Sequence, residues 1–206
     1  MVSRPTQEQA ETLQERRSRE TQVMVIKATV KCLDEFGYAE TTISKVQDSA
    51  GVSRGALTHH FPNKQSLIVA TSVWLLENAT RPLTELQSGG GPMPDIEDLV
   101  FEMWSRVADN QGGRAFLEIL LACRTDTELQ EMLSPMLQAW DRDVGLAFRD
   151  VLRAHGRKTD QAEMLWALVR TFCRGLILHQ NFVDSTDYTR EMIAQFARML
   201  ETELGA

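Results

Sequence analysis

Between residues 41 and 67 the chain gathers small, polar and basic side chains in an order suited to holding a phosphate backbone and touching base edges. Ser53 is a good helix N-cap, and the short helix it opens would carry Arg54, Gly55, Thr58 and His59. Arg54 offers a donor fork that fits a base edge or a phosphate. Gly55 has no side chain, so another backbone can approach closely. One helix earlier, the free amides at Thr42 can hold a phosphate. Lys45 falls in that helix's first turn, where the helix dipole disfavours a cation. A phosphate nearby would turn the penalty into a contact, and Lys64, opening the next helix, follows the same logic.

Other chemistries lack their residues. The chain has no GxSxG, no P-loop, no dinucleotide fingerprint and no convincing pair of carboxylates in an apolar helix, so no enzyme is expected. His59 and His60 are adjacent, which on a helix points them ~100° apart, and no further ligand stands at a supporting spacing. Neither metal nor cofactor is expected. Cys32, Cys123 and Cys173 are far apart and embedded in apolar pattern, as reduced core thiols would be.

These residues need elements to position them, and the pattern is helical throughout, giving an all-α fold. Residues 1–20 form a polar arm, or for residues 7–20 a solvated extension of the first helix. Ile26, Val30, Leu33 and Phe36 then share one face, and Gly37 is expected to end the helix as a left-handed cap. Two helices of about two turns follow, capped by Thr42 and Ser53 with Gly51-Val52 between them, and a further helix starts at Pro62-Asn63. Residues 21–68 thus form a helix-turn-helix head, and residues 69–206 a larger helical body. In the body, Ser88 to Pro94 reads as a loop, Asn110 to Gly113 as a break before a helix over 115–124, and Gly156 as the end of a helix that Pro135 kinks or restarts.

Charge divides in the same way. Residues 1–64 hold nine Lys/Arg against eight Asp/Glu, and the rest thirteen against twenty-one, so any basic surface is local to the head. No apolar run approaches a membrane span or a signal segment, and a cytoplasmic protein that does not engage membranes is expected.

The stretch over residues 22–68 resembles the DNA-binding domain of the tetracycline-repressor (TetR) family of bacterial regulators. The resemblance rests on Phe36-Gly37-Tyr38, Thr41-Thr42-Ile43, Ala50-Gly51-Val52-Ser53, Gly55-Ala56-Leu57, His60-Phe61, Lys64 and Leu67. Beyond residue 80 only helix count, chain length and Arg174-Gly175-Leu176 fit. It implies that the helix from Ser53 to His60 enters the major groove of double-stranded DNA, that Thr42 and Lys64 anchor phosphates, and that an effector binding the body relieves repression. Thr58 stands where the family commonly has Tyr, and Gln47 where it commonly has a small residue; that long amide either reaches DNA or is solvated.

Trp74, Phe101, Trp104, Phe116, Cys123, Trp140 and Phe172 are the candidates to line a largely apolar pocket for a small molecule, with core packing the plainer explanation of each. Arg106, Arg124, Arg170, Arg174 and His179 are candidates to orient a ligand's polar end, and surface ion pairs explain them equally well. Residues 160–180 are apolar nearly all round, which calls for cover on both sides. A homodimer is therefore expected through Leu168, Phe172, Leu176, Ile193, Phe196 and Leu200. The alternative is a helical protein-interaction module that does not bind DNA.

Overall fold

Caps and glycines set the boundaries of the head. In the computed structural model, which describes residues 12–88, 95–183 and 186–204, Thr12 and Glu15 form a capping box that opens α1 (Leu13–Glu40). Residues 13–20 are thus the helical extension, and residues 1–11 of the expected arm lie outside the described residues. Gly37 has the positive φ that favours glycine (72°), but its ψ of 173° is extended. It therefore breaks the helix, and Tyr38–Glu40 add one more turn before Thr41 donates its N–H back to the Gly37 and Tyr38 carbonyls.

Thr42 accepts from the Lys45 amide and starts α2 (Ile43–Ala50), which Gly51 ends in the left-handed conformation. Ser53 accepts from the Ala56 amide and starts α3 (Arg54–His60). Asn63 and Ser66 cap α4 (Lys64–Ala79). Val25, Ile26, Cys32, Val46, Leu57 and Phe61, with Leu67 of α4, bury a small core that fixes α2 and α3 on the side of α1.

The body departs from its sequence reading at several junctions. A short α5 (Arg81–Ser88) follows α4 directly. The rest of the expected loop, residues 89–94, lies outside the described residues. Asp95 caps α6 (Ile96–Met103), which runs on into a π-helical turn over Trp104–Ala108. The glycines at 112 and 113 do not form a break. The break is at Asp109–Asn110, where Asn110 accepts from the Gly113 amide, so α7 (Gln111–Ala122) begins four residues earlier than expected. α8 (Thr127–Ala154) passes through Pro135 without interruption, and Gly156, at φ 69°, follows its end. α9 (Ala162–Gln180) and α10 (Thr186–Leu204) complete the body. No described helix is long and apolar enough to cross a membrane.

Two cores serve the body. One joins α1 and α4 to α7 and α8 through Val30, Leu33, Ile68, Leu75, Ile119 and Leu133. The other lies among α6, α8, α9 and α10 and includes Trp104, Phe148, Trp166, Leu176, Ile193 and Leu200.

Candidate nucleic-acid interface and body cavity

The head brings its candidate residues to one exposed face. Thr42, Ser53, Arg54, Gly55, Thr58 and His59 are exposed, and Lys45, Gln47 and Lys64 are partly buried. Leu57, fully buried, holds α3 against the head core and leaves its other faces outward. Among the described residues no hydrogen bond or ion pair engages the Arg54 side chain. A Cβ on Gly55 would meet nothing within 4 Å, so nothing inside the protein asks for glycine there. Thr58 Oγ1 donates to the Arg54 carbonyl at 2.9 Å, which ties the hydroxyl to its own helix. His60 turns toward α1, its Nδ1 3.3 Å from Gln22 Nε2 and its ring 6.2 Å from that of Phe61.

Two expected phosphate anchors are already engaged. Lys45 Nζ donates to Glu40 at 3.1 Å and lies 4.9 Å from the centre of the Phe36 ring. Lys64 Nζ donates to the Tyr38 carbonyl at 2.7 Å and lies 4.1 Å over the Tyr38 ring. Burial pulls the Lys64 ammonium below its ordinary pKa, against Asp126 and Glu40, which favour its charge. The Ser66 amide is taken by the Asn63 cap, and among the described residues the Lys64 and Gln65 amides that open α4 have no partner and can meet a phosphate.

The head is fastened to the body along α7. Arg114 grips Asp34 of α1 with two hydrogen bonds, 2.7 and 3.2 Å, and reaches Asp109 at 3.4 Å. The Tyr38 amide donates to Glu118 at 3.3 Å, and its hydroxyl to Asp126 at 3.2 Å.

Beside this joint is a cavity of about 250 Å³. Trp74, Phe116, Trp140 and Trp166 line it with Met103, Val169 and Cys173, and its polar side chains are Asn78, Arg106, Asn110, Gln111, Arg170 and Arg174. Three of the seven aromatic and sulfur candidates, Trp74, Phe116 and Trp140, are in this wall. The other four are elsewhere. Phe101 is exposed with Arg190 over its ring, Trp104 is buried in the α6–α10 core, Cys123 packs beside α8, and Phe172 stacks on Phe196 at 4.1 Å. Val169 was missed because apolar helical spacing cannot tell a wall that meets a void from one that meets a neighbour. Of the five polar candidates, Arg106, Arg170 and Arg174 line the cavity, and Arg124 and His179 do not.

α9 has the two apolar sides its composition implies. Leu165, Trp166, Val169, Cys173, Leu176 and Ile177 are buried within the chain. Met164, Leu168, Leu178 and Phe182 are exposed, with Thr171 and Gly175 between them on the same stripe. Leu176, Ile193 and Leu200, expected at a subunit interface, belong instead to the chain's own core. Leu168 and Met199 are exposed, and Phe172 and Phe196 lie partly buried between core and surface.

A trihelical head presenting a capped helix-turn-helix, seated on an all-helical body, defines a DNA-binding regulator. The model of the tetR family of bacterial regulatory proteins matches residues 25–71. The HTH-type transcriptional regulator CymR of Pseudomonas putida is 31% identical over 163 residues, which span 79% of this chain and 80% of CymR. The chain belongs to the TetR family, whose members are transcriptional regulators and not enzymes. The fold extends to solved structures at lower identity. Reduced NemR of E. coli superposes with a TM-score of 0.71 at 16% identity, covering 90% of this chain and 98% of NemR. The multidrug binding protein EbrR, complexed with imidazole, gives 0.61 at 22% identity, covering 88% and 92%.

Proposed function

We propose that the chain is a homodimeric, sequence-specific repressor that works in the cytoplasm on a palindromic operator and is released when a small, largely apolar effector fills the body cavity. The DNA-binding head is residues 21–68 and the effector and dimerisation body residues 69–206. The observation that carries this reading is α3. Its inner face is fixed by Leu57, while among the described residues Arg54 has no side-chain partner and a Cβ on Gly55 would meet nothing within 4 Å. Such a helix suits the major groove, with Thr42, Ser53 and the α4 amides on phosphates and Arg54, Gly55, Thr58 and His59 at the base edges.

The exposed stripe of α9 supports the dimer. Water-facing Met164, Leu168 and Leu178 would be covered by a symmetry mate, and the bare Gly175, where a Cβ meets nothing, suits the close approach of a second helix. EbrR, a multidrug binding protein of the same fold complexed with imidazole, supports a small-molecule effector.

Selection of sites from a random duplex pool by the purified protein tests the reading. An inverted repeat with half-sites about one helical turn apart, or somewhat more, is the expected product. No enrichment by folded protein, at physiological and at low salt, overturns it. With the selected site in hand, Arg54→Ala lowers affinity several-fold or more in anisotropy titrations and leaves the thermal midpoint in place.

A further inference from the structure

One cation on the cavity wall, among the described residues, has no carboxylate beside it. Arg106 is held by Glu85 at 2.9 Å and by Glu102. Arg170 is paired with Asp141. Arg174, next on the same face of α9, has no carboxylate or hydrogen-bond partner among the described residues. The Phe116 ring centre lies 5.7 Å from its guanidinium carbon. A guanidinium withdrawn from water without an anion is costly, and proteins seldom keep one without a use. Burial, and then the repulsion of Arg170, bring the Arg174 guanidinium down to about 10, the direction an unpaired buried cation takes.

Further unmet donors stand on the same wall. The indole N–H of Trp166 and the Nε–H of Arg170 are buried without an acceptor among the described residues. Both residues line the cavity.

We infer that the effector is a small aryl carboxylate, a single-ring monoanion whose carboxylate pairs with Arg174 while its ring lies among Trp74, Phe116, Trp140 and Trp166. The inference rests on the cavity being the effector site. A carboxylate matches the guanidinium fork with two parallel hydrogen bonds and has lone pairs left for the unmet donors. One unpaired guanidinium fork is matched by one carboxylate, and a doubly charged phosphate ester would bring a second charge with no free cation to meet it. The volume limits the guest as well, because about 250 Å³ lies below the ordinary range of drug-sized pockets. Four aromatic walls favour a flat apolar body. Cys173, on the same wall, offers no competing covalent chemistry, because burial pushes its thiol up to about 12 and the thiolate is the reactive form.

The test uses the full chain and three matched pairs: benzoate, phenylacetate and 3-phenylpropanoate against benzamide, 2-phenylacetamide and 3-phenylpropanamide, with ethylbenzene as an uncharged control. Binding is read by quenching of tryptophan fluorescence and by the thermal midpoint. At least one acid is expected to bind about 30-fold or more tightly than its amide, the margin that truncating a buried charge pair typically removes. Arg174→Met is expected to erase that margin without reducing the binding of ethylbenzene, and Arg174→Lys to restore part of it. Amides that bind as well as acids, or acids that bind Arg174→Met unchanged, overturn the carboxylate and leave the cavity standing as an effector site. The same division follows if ethylbenzene alone binds. If acids, amides and ethylbenzene all leave both signals unmoved, the carboxylate and the cavity's role as effector site fall together.

Discussion

Gly55 separates two reasons a helix can hold a glycine. Inside the protein a Cβ there would touch nothing, and alanine is the better helix former. Gly55→Ala is therefore expected to raise stability by about 0.5–1 kcal/mol in denaturant melts, and to weaken operator binding several-fold because the added methyl meets DNA. Equal affinity in the variant would take α3 away from close contact with the duplex. Thr42, Ser53 and Gly51 were legible in the sequence because a cap or a left-handed turn is a local matter, settled within four residues. The engagement of Lys45 by Glu40 and of Lys64 by the Tyr38 carbonyl was not, because both depend on how α1 bends at Gly37. Tyr38 adds a pH signature. Burial first, and Asp126 second, push its phenol up to about 12, so the folded chain keeps a proton that the unfolded chain loses near 10. That contribution is complete below pH 10 and is lost as pH rises through 12. The stability advantage of the parent over Tyr38→Phe is expected to shrink across that window. A constant difference between the two melts would place the phenol in water.

At the scale of elements, the turn that leads into α7 is the least forgiving part of the body. A Cβ on Gly113 would lie 2.1 Å from the Ala108 carbonyl oxygen and 2.2 Å from that of Val107, both backbone atoms of the π turn. On Gly112 it would lie 3.1 Å from a Leu75 methyl, which can move. Gly113→Ala is expected to cost about 3 kcal/mol or more and Gly112→Ala far less, by urea unfolding. Comparable costs would mean that the π turn yields. The glycines look like a loop in the sequence because two in a row suggest a break. Only the π turn, whose carbonyls crowd the start of α7, reveals them as packing residues. For α9 the sequence indicated apolar residues on two sides but not which of them face outward: Leu176 is 3% exposed and Leu168 is 47%. Leu168→Arg is accordingly expected to yield a folded monomer by sedimentation velocity. A dimer as tight as the parent would move the subunit contact off this stripe.

For the molecule as a whole, the proposed effector cavity and the head share one helix, α7. Asn110, Gln111, Gly112, Gly113 and Phe116 of the α7 entry wall the cavity, and Arg114 and Glu118 of the same helix hold Asp34 and the Tyr38 amide of α1. A guest that shifts the start of α7 therefore acts on the helix that carries the DNA-reading core. An effector can release DNA only by binding the displaced arrangement better than the seated one, and the coupling is reciprocal. Arg114→Met removes the bidentate grip on Asp34 without changing a cavity wall residue. It is expected to leave effector affinity of the DNA-free protein within about twofold, since coupled sites respond through the shared equilibrium and not through lost contacts. The effector-induced rise in the operator dissociation constant should fall substantially, read by anisotropy with and without saturating effector. An undiminished rise would route the signal through α4, which also touches both the cavity, at Trp74 and Asn78, and the head, at Lys64. The choice between the two routes is physical. α4 is continuous from head to cavity, whereas α7 meets the head through the Arg114–Asp34 pair, the Glu118–Tyr38 contact and a shared core, so a substitution can loosen the α7 route and cannot interrupt α4.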